Sequence, residues 1–312
     1  MRAVLLRTFG LPEELALADV ADPIPGPGQV VIDVAVAGIT FVETQLRSGH
    51  PPRPGMEPPL PVILGNGVGG VVSAVGQDAD PAQVGRRVIS TTGGSGGYAE
   101  RVAVPAAGLI EIPGPLSTPE AVALLADGRT AMALIRAAGP RPGDRVLVVA
   151  AAGGVGSLLV QLAAATGAQV VAAAGTPRKV AVAKELGAAV AVDYTGPGWD
   201  AHQVDVVFDG VGGAIGEAAY RMLSPGGRFF GFGMASGSFA PAAEYRPNVT
   251  VTRGVPVTPD QMRELTIAAL TEAAAGRLRP LVGQSFPLER AADAHAAMES
   301  RATIGKTLLV VR

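Results

Sequence analysis

Arg145-Val-Leu-Val-Val-Ala-Ala-Ala-Gly-Gly-Val-Gly156 is the stretch on which the fold turns. Val146 to Val149 spell a short buried strand, small residues follow as a tight turn, and Ser157-Leu-Leu-Val-Gln-Leu-Ala-Ala164 continues as a helix. Gly153, Gly154 and Gly156 allow the backbone to turn sharply and to approach a ligand closely. The start of the helix, around Val155, offers free N–H groups and a partial positive charge, which suits a pyrophosphate. Strand, glycine turn and helix together are the arrangement that binds dinucleotides. The spacing departs from G-x-G-x-x-G, because alanine stands at the first glycine position. The alternative is a plain loop before a buried helix, and the residues downstream weigh against it.

Composition limits the rest. The chain has 312 residues, enough for two domains or one large one, and 48% of them are hydrophobic, enough for a sizeable core. A formal net charge of −2 gives no basic field to attract nucleic acid or an anionic membrane. With 42 glycines and 26 prolines beside so many apolar residues, the pattern is that of a folded α/β protein with many tight turns. No apolar run reaches the ~18 residues of a membrane span. There is no cysteine, which excludes disulfides and thiolate metal sites. The start, Met-Arg-Ala-Val-Leu-Leu-Arg-Thr-Phe, reads as a first strand rather than a signal sequence. These features favour a cytoplasmic protein with neither nucleic-acid nor membrane partner.

Residues 1–118 read as mainly β, with candidate strands at 3–6, 15–18, 30–37, 70–75, 87–90, 97–104 and 109–111 separated by Pro and Gly clusters. The Pro-rich segment 51–61 reads as a surface loop. From Ser117-Thr-Pro-Glu120, a helix start with a hydroxyl cap, Pro in the first turn and an acid after it, the period becomes helical. Strands at 145–150, 169–174, 189–192, 205–208, 227–232 and 249–253 then alternate with helices at 155–166, 177–186, 213–223 and 259–275. Such alternation with apolar strands implies a parallel sheet covered on both faces. The tail returns to β at 284–288 and 306–311 around a helix near 289–298 and is expected to pack back on the first domain.

An acid normally ends the second strand of an NAD site, where it binds the ribose 2′-hydroxyl. Here that region is Val170-Val-Ala-Ala-Ala-Gly-Thr-Pro-Arg-Lys179, with no acid. Thr176 opens a helix, and Arg178 and Lys179 follow: a hydroxyl, free N–H groups and two cations that suit a 2′-phosphate. The alternative is a solvated first helical turn, although cations are mildly unfavourable there. Tyr194, at the end of the third strand, adds a hydroxyl or a cover for the adenine. The sequence therefore favours NADPH. Phe208-Asp-Gly-Val-Gly-Gly213 and Phe230-Gly-Phe-Gly-Met234 end the fourth and fifth strands in glycines, at the sheet edge where open α/β folds bind ligands.

Taken jointly, Leu46-Arg-Ser-Gly49, Ala150-Ala-Ala-Gly-Gly-Val-Gly156, Gly175-Thr-x-x-Lys179, Asp209-Gly-Val-Gly212, Val251-Thr-Arg253 and Glu299-Ser-Arg-Ala-Thr303 resemble the zinc-independent quinone oxidoreductase branch of the medium-chain dehydrogenase/reductases, the zeta-crystallin-like proteins. The resemblance spans nearly the whole chain. It implies a Rossmann parallel-sheet domain (119–256) inserted into a GroES-like β-rich domain (1–118 plus 257–312), NADPH as cofactor, and a homodimer. It also implies that Gly153, Gly154, Val155 and Gly156 hold the pyrophosphate, and that Gly175, Lys179 and Tyr194 hold the 2′-phosphate end. Phe232, Gly233 and Met234, with Gly254, Val255 and Pro256, would flank the nicotinamide ribose and carboxamide; Gly210 belongs to the same cofactor edge. Thr130, in Gly128-Arg-Thr130, matches a threonine near the nicotinamide, and Arg301 an arginine that touches the cofactor.

The departures concern the acceptor. Zinc-dependent relatives use cysteine and a G-H-E segment; this chain has Leu64-Gly-Asn-Gly-Val-Gly69 there, so no catalytic zinc is expected. His50, His202 and His295 are scattered and read as solvated or structural. Where the branch has Asn-Phe-x-Asp with a tyrosine two residues on, this chain has Thr40-Phe-Val-Glu43, Thr44 and Gln45, and Gly67 replaces an acid. Thr40, Gln45 and Thr130, all neutral donors, are expected to line an interdomain cleft and hydrogen-bond the acceptor oxygen; ordinary satisfied polar residues are the alternative for each. The small-molecule electron acceptor is then a quinone. An enoyl or enone C=C reductase, or a non-catalytic NADPH-binding protein, is the alternative.

Overall fold

The computed structural model describes residues 1–240 and 248–312. Contacts divide the chain into two units, Met1–Ala126 with Pro280–Arg312, and Asp127–Arg279.

The first unit begins with β1 (Arg2–Leu6), β2 (Leu15–Asp19) and β3 (Gln29–Ile39). A short helix, α1 (Phe41–Ser48), follows. Then come β4 (Val62–Ile63), β5 (Gly67–Val75), β6 (Arg87–Thr91), β7 (Arg101–Pro105) and β8 (Ile110–Glu111). Helix α1 is absent from the reading of this region as mainly β. Its start is a reciprocal cap between Thr40 and Glu43, and its end is Gly49 in the left-handed region at φ 76°.

Helix α2 (Thr118–Ala138) contains the division between the units. The second unit continues with β9 (Arg145–Val149), α3 (Gly154–Ala165), β10 (Gln169–Ala174), α4 (Pro177–Glu185), β11 (Val190–Asp193), β12 (Val204–Asp209), α5 (Gly213–Arg221), β13 (Leu223–Gly231), β14 (Thr250–Arg253) and α6 (Pro259–Ala274). The chain returns to the first unit as β15 (Val282–Pro287), α7 (Ala291–Glu299) and β16 (Lys306–Val310).

In the first unit β1 pairs antiparallel with β2 and β4. A second sheet runs β15-β16-β3-β5-β6-β8, with β7 also on β3. The tail joins it through β16, antiparallel to β3 with Thr307 opposite Ile39. The sheet's inward side chains, among them Val30, Ile32, Val34, Val68 and Val104, form one core with Leu288, Ala291 and Leu309 of the tail. Each fully buried valine or leucine contributes roughly 1.5–3 kcal/mol.

The second unit is a six-stranded sheet in the order β11-β10-β9-β12-β13-β14, parallel throughout. Its central strand β9 is apolar without alternation, and Val146, Leu147, Val148 and Val149 are fully buried, as a strand covered on both faces requires. The strand order reverses between β9 and β12, which is where open parallel sheets bind ligands, outside the carboxyl ends of the strands.

The sequence boundaries and the contact division place residues 119–126 and 257–279 differently. The ties of 257–279 are visible. Gln161 on α3 and the backbone of Arg279 exchange two hydrogen bonds of 2.9 Å, and Arg136 on α2 pairs with Glu264 on α6 at 2.7 Å.

Candidate functional site

The turn after β9 is built on backbone contacts. Ala150 takes φ 59°, in the left-handed region, and its carbonyl accepts from Gly153 N at 2.9 Å. Gly153 caps α3 with an extended backbone. A Cβ on Gly156 would stand 2.2 Å from the Ala150 carbonyl oxygen, so only glycine lets the helix cross the strand end this closely. Gly154 meets a side chain instead: a Cβ there would lie 2.0 Å from Asp127 Oδ2. No sequence motif marks Asp127, which directly precedes Gly128-Arg-Thr130.

The second strand end is arranged around Tyr194. A Cβ on Gly175 would lie 2.8 Å from the Tyr194 hydroxyl and 2.9 Å from its ring, so Gly175 and Tyr194 are in contact. The Tyr194 ring lies edge-on to Trp199 with centroids 6.3 Å apart. Thr176 caps α4, its hydroxyl accepting from Lys179 N at 3.3 Å, with Pro177 in the first turn. Arg178 is exposed and Lys179 half-buried on that turn, and no acid lies in the first turn of α4.

At the other side of the switch point, a Cβ on Gly210 would lie 2.7 Å from Phe232 Cζ, and one on Gly233 2.7 Å from the Gly210 carbonyl. Gly210, Phe232 and Gly233 are thus packed together, and Met234 follows them in the same loop. The fully buried carboxylate of Asp209 accepts from Val211 N at 2.9 Å and Gly212 N at 3.0 Å, fixing this loop. Burial pushes the Asp209 carboxyl up, and those N–H donors oppose the shift. Gly254, at φ 66°, bonds Gly231 O at 2.8 Å and leads β14 into Val255 and Pro256. All these positions stand at carboxyl ends of the parallel strands. The cradle they form needs glycine at 154, 156, 175, 210 and 233, because an added Cβ would collide there with the protein's own neighbouring atoms.

The remaining residues lie elsewhere. Thr130 is half-buried on α2 in the second unit. Thr40, Gln45 and Arg301 belong to the first. Arg301 takes φ 59° and its guanidinium sits 4.2 Å from the centroid of the Phe41 ring at the start of α1, a cation–π contact. Gln45 lies half-buried on α1.

Thr40 differs from expectation. Its hydroxyl donates to Glu43 Oε2 at 2.8 Å and its backbone N–H donates to the same carboxylate, so its proton is directed into the protein rather than at an acceptor oxygen. Glu43 is buried and also accepts from Asn66 N at 2.8 Å. Burial pushes its carboxyl up, while the Thr40 donors, the charge of the buried Lys306 and Asn66 N–H pull it down. Behind it, Tyr98 and His295 are fully buried with Tyr98 Oη 3.1 Å from His295 Nε2. Arg47, also buried, bonds Gly10 O and pairs with Glu299. Sequence reasoning missed this polar core. The visible signal was the Thr-x-x-Glu cap at Thr40.

Residues 26–114 match the alcohol dehydrogenase GroES-like domain, and residues 186–309 match a family described as zinc-binding dehydrogenase. Over 339 aligned positions the chain is similar to a quinone oxidoreductase of Lama guanicoe, at 32% identity over 100% of this chain and 98% of the relative. The chain belongs to the quinone oxidoreductase branch of the medium-chain dehydrogenase/reductases. Within that superfamily it is also 30% identical to a 2-haloacrylate reductase from a Burkholderia species, over 99% of this chain and 98% of that one. The Escherichia coli quinone oxidoreductase complexed with NADPH superposes with a TM-score of 0.89 at 28% identity, over 100% of both chains. The six-stranded unit is the superfamily's Rossmann domain and the antiparallel unit its GroES-like domain. Although one matched family is described as zinc-binding, this member has no cysteine, and no group of three or more His, Cys, Asp or Glu that could hold a metal ion occurs among the described residues. Likewise, among those residues no helix is long and apolar enough to cross a membrane.

Proposed function

We propose that this oxidoreductase uses NADPH to reduce a quinone. The observation that carries the cofactor choice is the end of β10. Gly175 under Tyr194, the Thr176 cap and the Arg178 and Lys179 side chains present a hydroxyl, N–H groups and cations, with no carboxylate to select a 2′-hydroxyl. The solved relative from E. coli, complexed with NADPH, supports the same choice.

When bound, NADPH supplies a hydride from C4 of its nicotinamide. The chain's own residues supply position and charge. Gly153, Gly154, Val155 and Gly156 seat the pyrophosphate on the N-terminus of α3. Gly175, Thr176, Arg178, Lys179 and Tyr194 hold the adenosine 2′-phosphate end. Gly210, Phe232, Gly233 and Met234, with Gly254, Val255 and Pro256, border the nicotinamide end. Thr130 hydrogen-bonds the acceptor oxygen as negative charge develops there. Thr40 holds the start of α1, because its proton is directed to Glu43.

A second reading, reduction of a C=C bond conjugated to a carbonyl, is favoured by the similarity to a 2-haloacrylate reductase. NADPH oxidation measured against 1,4-benzoquinone, 9,10-phenanthrenequinone, an alkenal and an aryl enone, with product analysis, tests both. Turnover with the quinones supports the proposal, and turnover confined to the alkenal or enone replaces it with the second reading. No turnover with any acceptor despite NADPH binding contradicts both.

A further inference from the structure

Of the three glycines in the turn after β9, two face backbone and one faces a charged side chain. The Cβ positions of Gly153 and Gly156 would lie 3.2 Å and 2.2 Å from the Ala150 carbonyl oxygen, so these glycines serve the strand-to-helix crossing. Gly154 is the first residue of α3, and a Cβ there would stand 2.0 Å from Oδ2 and 2.9 Å from Cγ of Asp127. The carboxylate therefore rests against the first turn of α3, beside the N–H groups that the helix leaves unused by its own ladder. A negative group is electrostatically at home there. It is also the place where the turn would receive a pyrophosphate. Burial lowers the pKa of Arg129, two residues on, and the charge of Asp127 opposes that shift.

We propose that Asp127 is a resident anion at the pyrophosphate seat: its carboxylate rests on Gly154, must turn aside to admit a dinucleotide, and thereby sets dinucleotide affinity. The proposal rests on the reading of this turn as a dinucleotide site. The end of a flexible side chain can move where backbone cannot, so the contact at Gly154 is a gate of a different kind from the fixed one at Gly156. Because every dinucleotide carries the pyrophosphate, Asp127 acts on NADPH and NADH alike. Arg178 and Lys179 act on the 2′-phosphate alone.

The test is fluorescence titration of wild type, Asp127→Asn and Asp127→Ser with NADPH and NADH, beside calorimetric titration with 2′-AMP, which has the 2′-phosphate but no pyrophosphate. Thermal melts confirm that each variant is folded, and the serine variant serves if the asparagine one is not. Removal of the charge is expected to tighten NADPH and NADH by comparable factors of about tenfold, less at high salt, and to leave 2′-AMP unchanged. If wild type binds NADPH and the folded variants bind it equally or more weakly, this inference falls while the dinucleotide reading stands. Should tightening extend to 2′-AMP, the effect is not at the pyrophosphate, and the inference also falls. If no form binds a dinucleotide, both fall together.

Discussion

The hydroxyl of Tyr194 lies 2.8 Å from the position that a Cβ on Gly175 would occupy. Two strand ends, those of β10 and β11, are thereby locked into one surface. Gly175→Ala forces the ring away from this contact and from Trp199, at a cost of about 1–3 kcal/mol in stability. NADPH affinity is expected to fall by about tenfold, read by titration of the folded variant.

Arg178 and Lys179 carry the preference for the 2′-phosphate. The double variant Arg178→Ala/Lys179→Ala is expected to lose ten- to hundredfold in NADPH affinity, roughly one to two decades for two charge-assisted contacts, with NADH affinity nearly unchanged. Equal losses for both dinucleotides would place these side chains elsewhere on the cofactor.

Thr130 is assigned to the acceptor oxygen. Thr130→Val should lower kcat by about hundred- to thousandfold, as removal of one donor to a developing oxyanion does, while the Kd for NADPH stays nearly constant. Steady-state rates and direct titration separate the two effects.

Ala150 holds φ 59° with a side chain that disfavours it. Ala150→Gly relieves this and is expected to stabilise the protein by about 1 kcal/mol, seen as a higher Tm. A lower Tm would show that the alanine methyl contributes more by packing than its backbone costs.

His295 is fully buried against Tyr98, and desolvation, assisted by the charge of Arg47, lowers its pKa to about 3 from 6.5. Between those values the unfolded chain binds a proton that the folded chain refuses. Stability from this group is therefore complete above pH 6.5 and is lost as pH falls toward 3, with a slope of up to about 1.4 kcal/mol per pH unit. Chemical denaturation of wild type and His295→Gln at pH 7, 6, 5 and 4 checks the sign. The difference between the two should shift in favour of the variant as pH falls.

Much of this is legible in the sequence. Apolar runs such as Val146 to Val149 and the glycines after them mark a buried parallel strand and its ligand-facing end, because the signal is local and periodic. Helix α1 was not recognised, being only eight residues long within a β-rich region, although its Thr40–Glu43 cap was in view. The buried polar groups were beyond reach for a different reason. Arg47 meets Glu299 across a separation of 252 residues, and Tyr98 meets His295 across 197. Neither end of such a pair announces its partner in a single sequence. The contact of Asp127 with Gly154 is of this kind as well, since it depends on how α2 and α3 lie together within one unit.

The most direct measurement is titration of the purified chain with NADPH and with NADH, followed by fluorescence. The carboxyl-edge cradle predicts that both bind, with NADPH tighter by at least about tenfold, the worth of one good charge-assisted contact to the 2′-phosphate. NADH binding as tightly as NADPH would contradict the role given to Thr176, Arg178 and Lys179. Binding of neither would contradict the cofactor site itself.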